Sequence, residues 1–141
     1  MLRFRFDGCQ RIVLPPAAQS GRGEDLWQTT CAELFIVDSG GSYREFNFSP
    51  SGQWAAYKFA GYRTRTGDYD PVRTPEIAMD VGHSVLTITV FLAAEEFAQS
   101  THVALTAIVE EQRGRQSYWA HHHPGAKPDF HNPACFVLPV P

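Results

Sequence analysis

Short runs of alternating apolar and polar residues, separated by turn-forming residues, recur along the chain. In Val85–Leu92, apolar Leu86 and Ile88 alternate with threonines. Val103–Glu110 shows the same period of two. Successive side chains of a strand point to opposite faces, so this period predicts strands with one face in a core. Short strands joined by frequent turns predict an all-β fold, an antiparallel β-sandwich of the jelly-roll or immunoglobulin-like kind.

The predicted strands follow this pattern along the chain. They are Arg3–Phe6, Ile12–Leu14, Cys31–Val37, Tyr43–Phe48, Gln53–Phe59, Glu76–Val81, Val85–Leu92, Val103–Glu110, Ser117–His121 and Ala134–Leu138. A short helical turn is predicted at Ala93–Phe97, and the Pro, Gly and Ser content of Pro15–Asp25 predicts an irregular loop. Since no internal repeat, low-complexity segment or linker interrupts the chain, we expect residues 1–141 to form one domain.

The first central hairpin is predicted to bring acidic and amide side chains together. The loop between Val37 and Tyr43 has hairpin composition, and we expect these two residues to pair. That register places Glu33 opposite Asn47 and leaves Glu45 on the same face. We therefore expect these three polar groups to share one face of two adjacent strands.

The second central hairpin is predicted to add an aromatic and an ammonium group to that face. Ser49–Gly52 has proline at its second position and glycine at its fourth, which favours a type I turn. If Phe48 pairs with Gln53 across this turn, Asn47 falls opposite Trp54. The expected polar face then comprises Tyr43, Glu45, Asn47, Glu33, Trp54 and Lys58, and the expected apolar face comprises Phe46, Phe48, Tyr57 and Phe59. A slip of one residue would move all side chains of a strand to the other face.

Two interpretations of this polar face remain open. Carboxylate, amide and aromatic groups close together suit a small polar ligand with an apolar face, such as a sugar. Alternatively, the face is a solvated sheet surface whose Glu and Lys side chains form cross-strand pairs of about 0.2–1 kcal/mol each. Glu33 favours the ligand site, because an acid within the apolar run Cys31–Val37 destabilises the fold unless it has partners.

Two further tryptophans are candidates for stacking on a sugar ring. Trp27 precedes the Glu33 strand at a loop entrance, and Trp119 lies in the predicted strand Ser117–His121. The C–H groups of a sugar ring meet the negative face of an indole favourably. Equally, either tryptophan could fill the core or close one end of the sandwich.

Charge and composition exclude several other classes of protein. The chain has 12 Lys and Arg against 15 Asp and Glu, a formal net charge of −3, and no basic run, so nucleic-acid binding is not expected. No apolar run is long enough to span a membrane, and the N-terminus lacks an apolar signal core, so we expect a cytoplasmic protein without membrane partners. In that setting Cys9, Cys31 and Cys135 are expected to be reduced thiols.

Catalytic and metal-binding patterns are weak. Within the histidine run only His121 and His123 would point the same way from a strand, so neither a metal nor another cofactor is expected. The motif Gly-x-Ser-x-Gly is absent, and Cys31 has no neighbouring base. Glu33 and Glu45 could form an acid/base pair, which leaves a small glycan-active enzyme as an alternative, but we expect no catalysis.

Several segments of the chain carry a family resemblance. They are Asp25–Phe35, Tyr43–Gly52, Trp54–Tyr57, Tyr118–Ala120 and Lys127–His131. Together they resemble the DOMON-like group, which is related to the family 9 carbohydrate-binding modules, and the last two are similar to a bacterial stand-alone branch of it. The resemblance implies a jelly-roll-like β-sandwich that binds a sugar or, in other branches, haem.

The resemblance also implies roles for individual residues. Trp27 and Glu33 match the first stacking tryptophan of the carbohydrate-binding modules and its acid. Trp119 corresponds to the second stacking wall, with Gln116 as its polar neighbour. The chain is shorter than those modules and shows neither a catalytic domain nor an export signal, so the expected ligand is an intracellular glycan, a sugar nucleotide or a muropeptide fragment.

The sequence therefore predicts a non-catalytic module that binds a carbohydrate or a sugar derivative. The expected ligand-binding residues are Trp27, Glu33, Glu45, Asn47, Trp54, Gln116 and Trp119. A structural or protein-interaction sandwich without a small ligand is the alternative. Haem binding ranks lower, because Met79 and His83 match no axial-ligand pattern.

Overall fold

The computed structural model of the chain describes residues 1–140, which form strands joined by loops and short 3-10 turns. The strands are β1 (Leu2–Asp7), β2 (Gly21–Arg22), β3 (Cys31–Asp38), β4 (Tyr43–Phe48), β5 (Gln53–Phe59), β6 (Arg65–Asp68), β7 (Glu76–Val81), β8 (Val85–Phe91), β9 (Ser100–Glu111), β10 (Arg115–Ala120) and β11 (Leu138–Pro139). A 3-10 turn at Ala94–Phe97 lies where the sequence predicts a helical turn. Over the described residues, no helix has the length and apolar character needed to cross a bilayer.

The strands form two sheets that pack against each other as a sandwich. The smaller sheet has the order β1-β8-β7, and the larger has the order β10-β9-β3-β4-β5-β2, with β11 beside β9 and β6 beside β5. The predicted all-β sandwich is confirmed. Strands β3 and β4 lie at the centre of the larger sheet, so the acidic residues that they carry are positioned by pairing on both sides.

Both faces of the larger sheet are covered. The main core between the two sheets includes Leu34, Ile36, Phe46, Phe48, Trp54, Leu86 and Ile88. A second apolar cluster lies on the opposite face and comprises Phe35, Tyr43, Phe59, Ala104, Ile108 and Phe130. Strand β3 is therefore buried on both faces from Cys31 to Ile36, and a polar side chain on it lies among apolar neighbours.

Two predicted strands are wrong. The segment Ile12–Leu14 makes only an isolated bridge to Glu111, because Pro15 directly after it has no N–H to donate to a ladder. The segment Ala134–Leu138 begins as a 3-10 turn, because the side chain of Asn132 caps its first amide. The short strands β2 and β6 were not predicted; β6 is an edge strand with a glycine at its centre.

The register of the first central hairpin is as predicted, and that of the second differs by one residue. Val37 pairs with Tyr43, and Glu33 lies opposite Asn47. In the second hairpin Phe48 pairs with Trp54 rather than with Gln53. As a result Trp54 and Lys58 move off the polar face, which instead carries Tyr57 and Phe59 from β5.

The second turn explains this shift. The N–H of Ser49 donates to the carbonyl oxygen of Gln53 at 2.9 Å, and the N–H of Gly52 donates to that of Ser49 at 3.0 Å. Gly52 has φ of 92°, a left-handed conformation that glycine adopts without strain. The loop is thus a three-residue turn ending in a glycine bulge, and it directs the large ring of Trp54 into the main core.

A buried ion pair joins β4 to two of the connections that cross between the sheets. Arg44 Nη1 donates to Glu96 Oε2 at 2.9 Å, and these side chains are 13% and 0% exposed. Glu96 precedes β9, and it also accepts from the hydroxyl of Tyr69 at 2.8 Å and from the amide of Val72 at 2.7 Å. Tyr69 and Val72 lie between β6 and β7, so the cluster holds the β6–β7 and β8–β9 connections to the larger sheet.

Replacing Arg44 with methionine is expected to lower the free energy of unfolding by about 3–5 kcal/mol, because Glu96 would stay buried without its cation. Arg5→Met is the matched control, since it removes only the exposed pair with Asp7 and should cost less than about 1 kcal/mol. Urea unfolding of both variants measures the difference. Equal losses in the two variants would contradict the role assigned to Arg44.

Candidate functional site

A cleft of about 370 Å³ lies on the face of the larger sheet that points away from the smaller sheet. Its floor is formed by Glu33 of β3, Glu45 of β4 and Tyr57 of β5. The loop segment Pro128–His131 forms one wall, and Trp27 from the turn before β3 lies at another edge. A volume of this order is within the range of pockets that hold small molecules.

The two floor acids are almost completely buried, and each has one hydrogen bond from a neutral group. Glu33 is 3% exposed and its Oε2 accepts from the hydroxyl of Thr106 at 2.9 Å. Glu45 is 6% exposed and its Oε1 accepts from Nδ2 of Asn47 at 2.9 Å. Thr106 and Asn47 lie directly opposite Glu33 on the two neighbouring strands, so the sheet register supplies both donors.

Burial favours the neutral, protonated form of both acids. The pKa of Glu33 is raised to about 8, chiefly by loss of solvation and also by the charge of Glu45, and the hydrogen bond from the Thr106 hydroxyl opposes the shift. Burial also raises the pKa of Glu45, against the Asn47 amide and the positive charges of Arg65 and Arg63. The pair therefore shares a proton near neutral pH, as two interacting carboxyl groups do.

His131 on the wall is neutral at pH 7 and faces Glu45. The amide of Arg63 donates to the hydroxyl of Tyr43 at 3.1 Å, and that hydroxyl lies 2.8 Å from His131 Nδ1. The other ring nitrogen, Nε2, lies 3.6 Å from Glu45 Oε2. Burial and the charge of Arg63 lower the pKa of His131 to about 4, so at pH 7 this contact is not an ion pair.

The arginines at the rim are already paired with acids outside the floor. Arg63 Nη2 donates to Asp129 at 2.8 Å, and Arg65 Nη2 donates to Asp68 at 2.7 Å. Arg65 also lies over the ring of Tyr57, with its guanidinium carbon 3.9 Å from the ring centroid. These contacts hold the arginines at the mouth of the cleft, where their charges act on Glu45 without a direct hydrogen bond to either floor acid.

Three of the predicted binding residues line the cleft and a fourth supports it. Trp27, Glu33 and Glu45 line it directly, and Trp27 is 48% exposed. Asn47 is fully buried and acts through its hydrogen bond to Glu45. Gln116 lies beside this group, because its Nε2 donates to the carbonyl oxygen of Gln28 at 2.9 Å, next to Trp27, but it does not line the cleft.

Trp54 and Trp119 are not at the cleft. Trp54 is 6% exposed and lies in the main core, where the guanidinium of Arg22 covers its ring at 4.5 Å. Trp119 is 63% exposed and lines a separate groove of about 640 Å³ between β1 and β10. Strand alternation explains the difference, because Tyr118 points to the cleft and the residue after it must point the other way.

Sequence reasoning missed several residues of the cleft. Tyr57 was placed on the other face by the wrong register of β5, and Thr106 lies on a strand whose partner could not be derived from turn lengths. Phe130, which lines the cleft, is 8% exposed and lies in the second apolar cluster. The contact of His131 with Tyr43 holds the loop and turns Nε2 towards Glu45.

No metal-binding group of three or more His, Cys, Asp or Glu side chains occurs within residues 1–140. His121 lines the groove beside Trp119, whereas the ring of His123 lies 6.0 Å from that of Phe130.

No protein-family model and no curated protein match the chain. Among solved structures, the fold is similar to that of a Bacteroides uniformis protein that is provisionally described as carbohydrate-binding, with a TM-score of 0.59 and 16% sequence identity. The match covers 95% of this chain and 68% of that chain. At this identity the likeness shows a shared fold and not a shared function.

The raised pKa of Glu33 predicts that stability falls as pH rises. The ordinary pKa of this group is 4.5, so between about pH 4.5 and 8 the folded chain keeps a proton that the unfolded chain has lost. His131 opposes this trend below pH 6.5, because its folded pKa is lowered and the unfolded chain binds the extra proton there. A net fall is therefore expected from about pH 6.5 to 8, at up to about 1.4 kcal/mol per pH unit.

Urea unfolding at pH 6.5 and pH 8 tests this prediction. Glu33→Gln is expected to lose less stability than the unmodified chain over this interval, because the amide does not titrate. Glu76→Gln on the exposed face of β7 is the matched control and should lose as much as the unmodified chain. If the Glu33 variant lost as much stability as the unmodified chain, this carboxyl group would not be the source of the pH dependence.

Proposed function

We propose that the chain is a non-catalytic module that binds a small carbohydrate or sugar derivative in the cleft. The observation that carries the proposal is the placement of two buried carboxyl groups, Glu33 and Glu45, on the floor of an aromatic-walled cleft. An ordinary solvated sheet face does not bury its acids. In this cleft one oxygen of each carboxyl group is not within hydrogen-bond distance of any donor in residues 1–140.

The chemistry of the cleft suits a sugar ring. The rings of Trp27, Tyr57 and Tyr118 offer apolar surface to the C–H face of a pyranose. The carboxyl groups of Glu33 and Glu45 accept hydrogen bonds from hydroxyl groups, and a protonated carboxyl group can also donate one. Because the ligand exchanges hydrogen bonds with water for those with the protein, we expect dissociation constants from micromolar to millimolar.

The fold comparison supports this proposal without establishing it. The Bacteroides uniformis protein has the same fold, and its description names carbohydrate binding. The acids supply the independent support, because their burial is observed in this chain itself and does not depend on the comparison.

A protein-interaction module is the second candidate, and the groove beside Trp119 favours it. The indole is 63% exposed and lies next to Phe4, Phe6 and Leu105 between the edges of the two sheets. Exposed apolar surface of this kind often marks an interaction site. A sugar in the cleft and a partner in the groove would occupy opposite faces of the larger sheet.

Substitution of Trp27 with alanine is expected to weaken sugar binding about fivefold or more, because the stacking surface is lost. Isothermal titration of the unmodified chain against a panel of mono- and disaccharides identifies the sugar first. Trp119→Ala is the matched control, since it removes an exposed tryptophan on the opposite face and should leave the affinity unchanged. Absence of binding across the whole panel would favour the interaction module.

A further inference from the structure

The floor of the cleft holds two acids and no cation, which points to the chemical class of the ligand. We propose that the cleft selects a sugar that carries a protonated amine, and that the ammonium group lies between Glu33 and Glu45. This inference rests on the proposed function, since it names the kind of sugar that the same cleft takes. It goes further by assigning the two acids to one ligand group.

No positive side chain of the described residues satisfies the floor acids. Arg63 is held by Asp129 at 2.8 Å, and Arg65 is held by Asp68 at 2.7 Å. Both arginines are more than half exposed at the rim, at 56% and 51%. The remaining basic neighbour, His131, is neutral at pH 7 and lies 3.6 Å from Glu45. The arginines act on Glu45 only from a distance, so a direct positive partner for the floor acids must be a proton or a ligand group.

The hydrogen-bond pattern fits an ammonium group. Among residues 1–140, Glu33 accepts one hydrogen bond at Oε2 and Glu45 accepts one at Oε1. Glu33 Oε1 has no such partner, and Glu45 Oε2 has only the long contact to His131. Both free oxygens belong to residues that line the cleft. An ammonium group has three donors and no acceptor, so it can satisfy both oxygens at once.

The burial of both acids is expected to make the cleft selective for a positively charged ligand group. Glu33 and Glu45 are 3% and 6% exposed, and charged acids at such positions destabilise a protein unless a cation is close. An ammonium group supplies that charge, whereas a hydroxyl or an N-acetyl group does not. Hydrogen bonds between charged groups are about twice as strong as neutral ones, so a preference of roughly tenfold or more is expected.

Binding of the amine should also release a proton. In the free chain the acid pair keeps a proton near neutral pH, and the ammonium group takes its place. The other ionisable groups facing the pair are Cys31 beside Glu33 on β3, Tyr43 on β4, Tyr57 and Arg65 on the β5 side, Tyr118 on β10, and Arg63, Asp129 and His131 on the wall. His131 stays neutral and the arginines stay charged at pH 7, so the released proton comes from the acid pair.

Competition between matched sugars tests the proposal directly. Glucosamine is compared with glucose and N-acetylglucosamine, and galactosamine with galactose and N-acetylgalactosamine, by titration calorimetry at pH 7 in two buffers of different ionisation enthalpy. At least one amino sugar is expected to bind about tenfold more tightly than both of its matched forms, with proton release that differs between buffers. Equal affinities within both series would overturn the selectivity and leave the proposed function in place.

Cyclohexylamine separates recognition of the ammonium group from recognition of the sugar. It carries the ammonium group on a ring without hydroxyls, and it is expected to bind more weakly than the preferred amino sugar. Equal binding would mean that the cleft recognises amines rather than sugars, which would overturn the proposed function. Binding of neither sugars nor amines would overturn both proposals.

Glu33→Gln tests the residue assignment. The ratio of amino-sugar to hexose affinity is expected to fall at least fivefold, because the amide carries no charge. Glu76→Gln, on the exposed face of β7, should keep the ratio of the unmodified chain. If the Glu33 variant does not fold by near-ultraviolet circular dichroism, Glu45→Gln serves the same purpose. An unchanged ratio in a folded variant would remove the floor acids from ligand recognition.

Discussion

The pairing of β3 with β4 on one side and with β9 on the other is the constraint on which the rest of the structure depends. Alternate side chains of β3 lie in two different environments. Leu34 lies in the core between the sheets, and Glu33 and Phe35 lie on the opposite face. The same register places Asn47 and Thr106 on either side of Glu33. A slip of one residue would drive the acid into the apolar core, so fold and candidate site are specified together.

The sequence predicted the parts of this arrangement that follow from local rules. The period of two in β8 and β9 and the loop between Val37 and Tyr43 were enough for the fold class and for the position of Glu33 opposite Asn47. The second hairpin could not be derived, because Ser49–Gly52 suits both a four-residue turn and a three-residue turn with a glycine bulge. Contacts distant in sequence, such as that of His131 with Tyr43, leave no local signal at all.

The candidate site and the rest of the fold treat buried charge in opposite ways. Glu96 is completely buried but has Arg44, a tyrosine hydroxyl and a backbone amide as partners, so its charge is balanced within the chain. Glu33 and Glu45 have neutral donors only, and their pKa values are raised by burial. Functional sites commonly keep such unbalanced groups at a cost in stability, because a fully balanced site has nothing left to offer a ligand.

The cleft combines a floor of regular sheet with walls of irregular chain. Backbone groups of β3, β4 and β5 are engaged in ladder pairing, whereas Trp27 and the segment Pro128–His131 lie outside the strands. Substitutions in the walls leave the ladder intact, and loops generally tolerate sequence change better than the strands that they connect. Related chains could therefore accept ligands of different shapes while keeping the same pair of acids on the floor of the cleft.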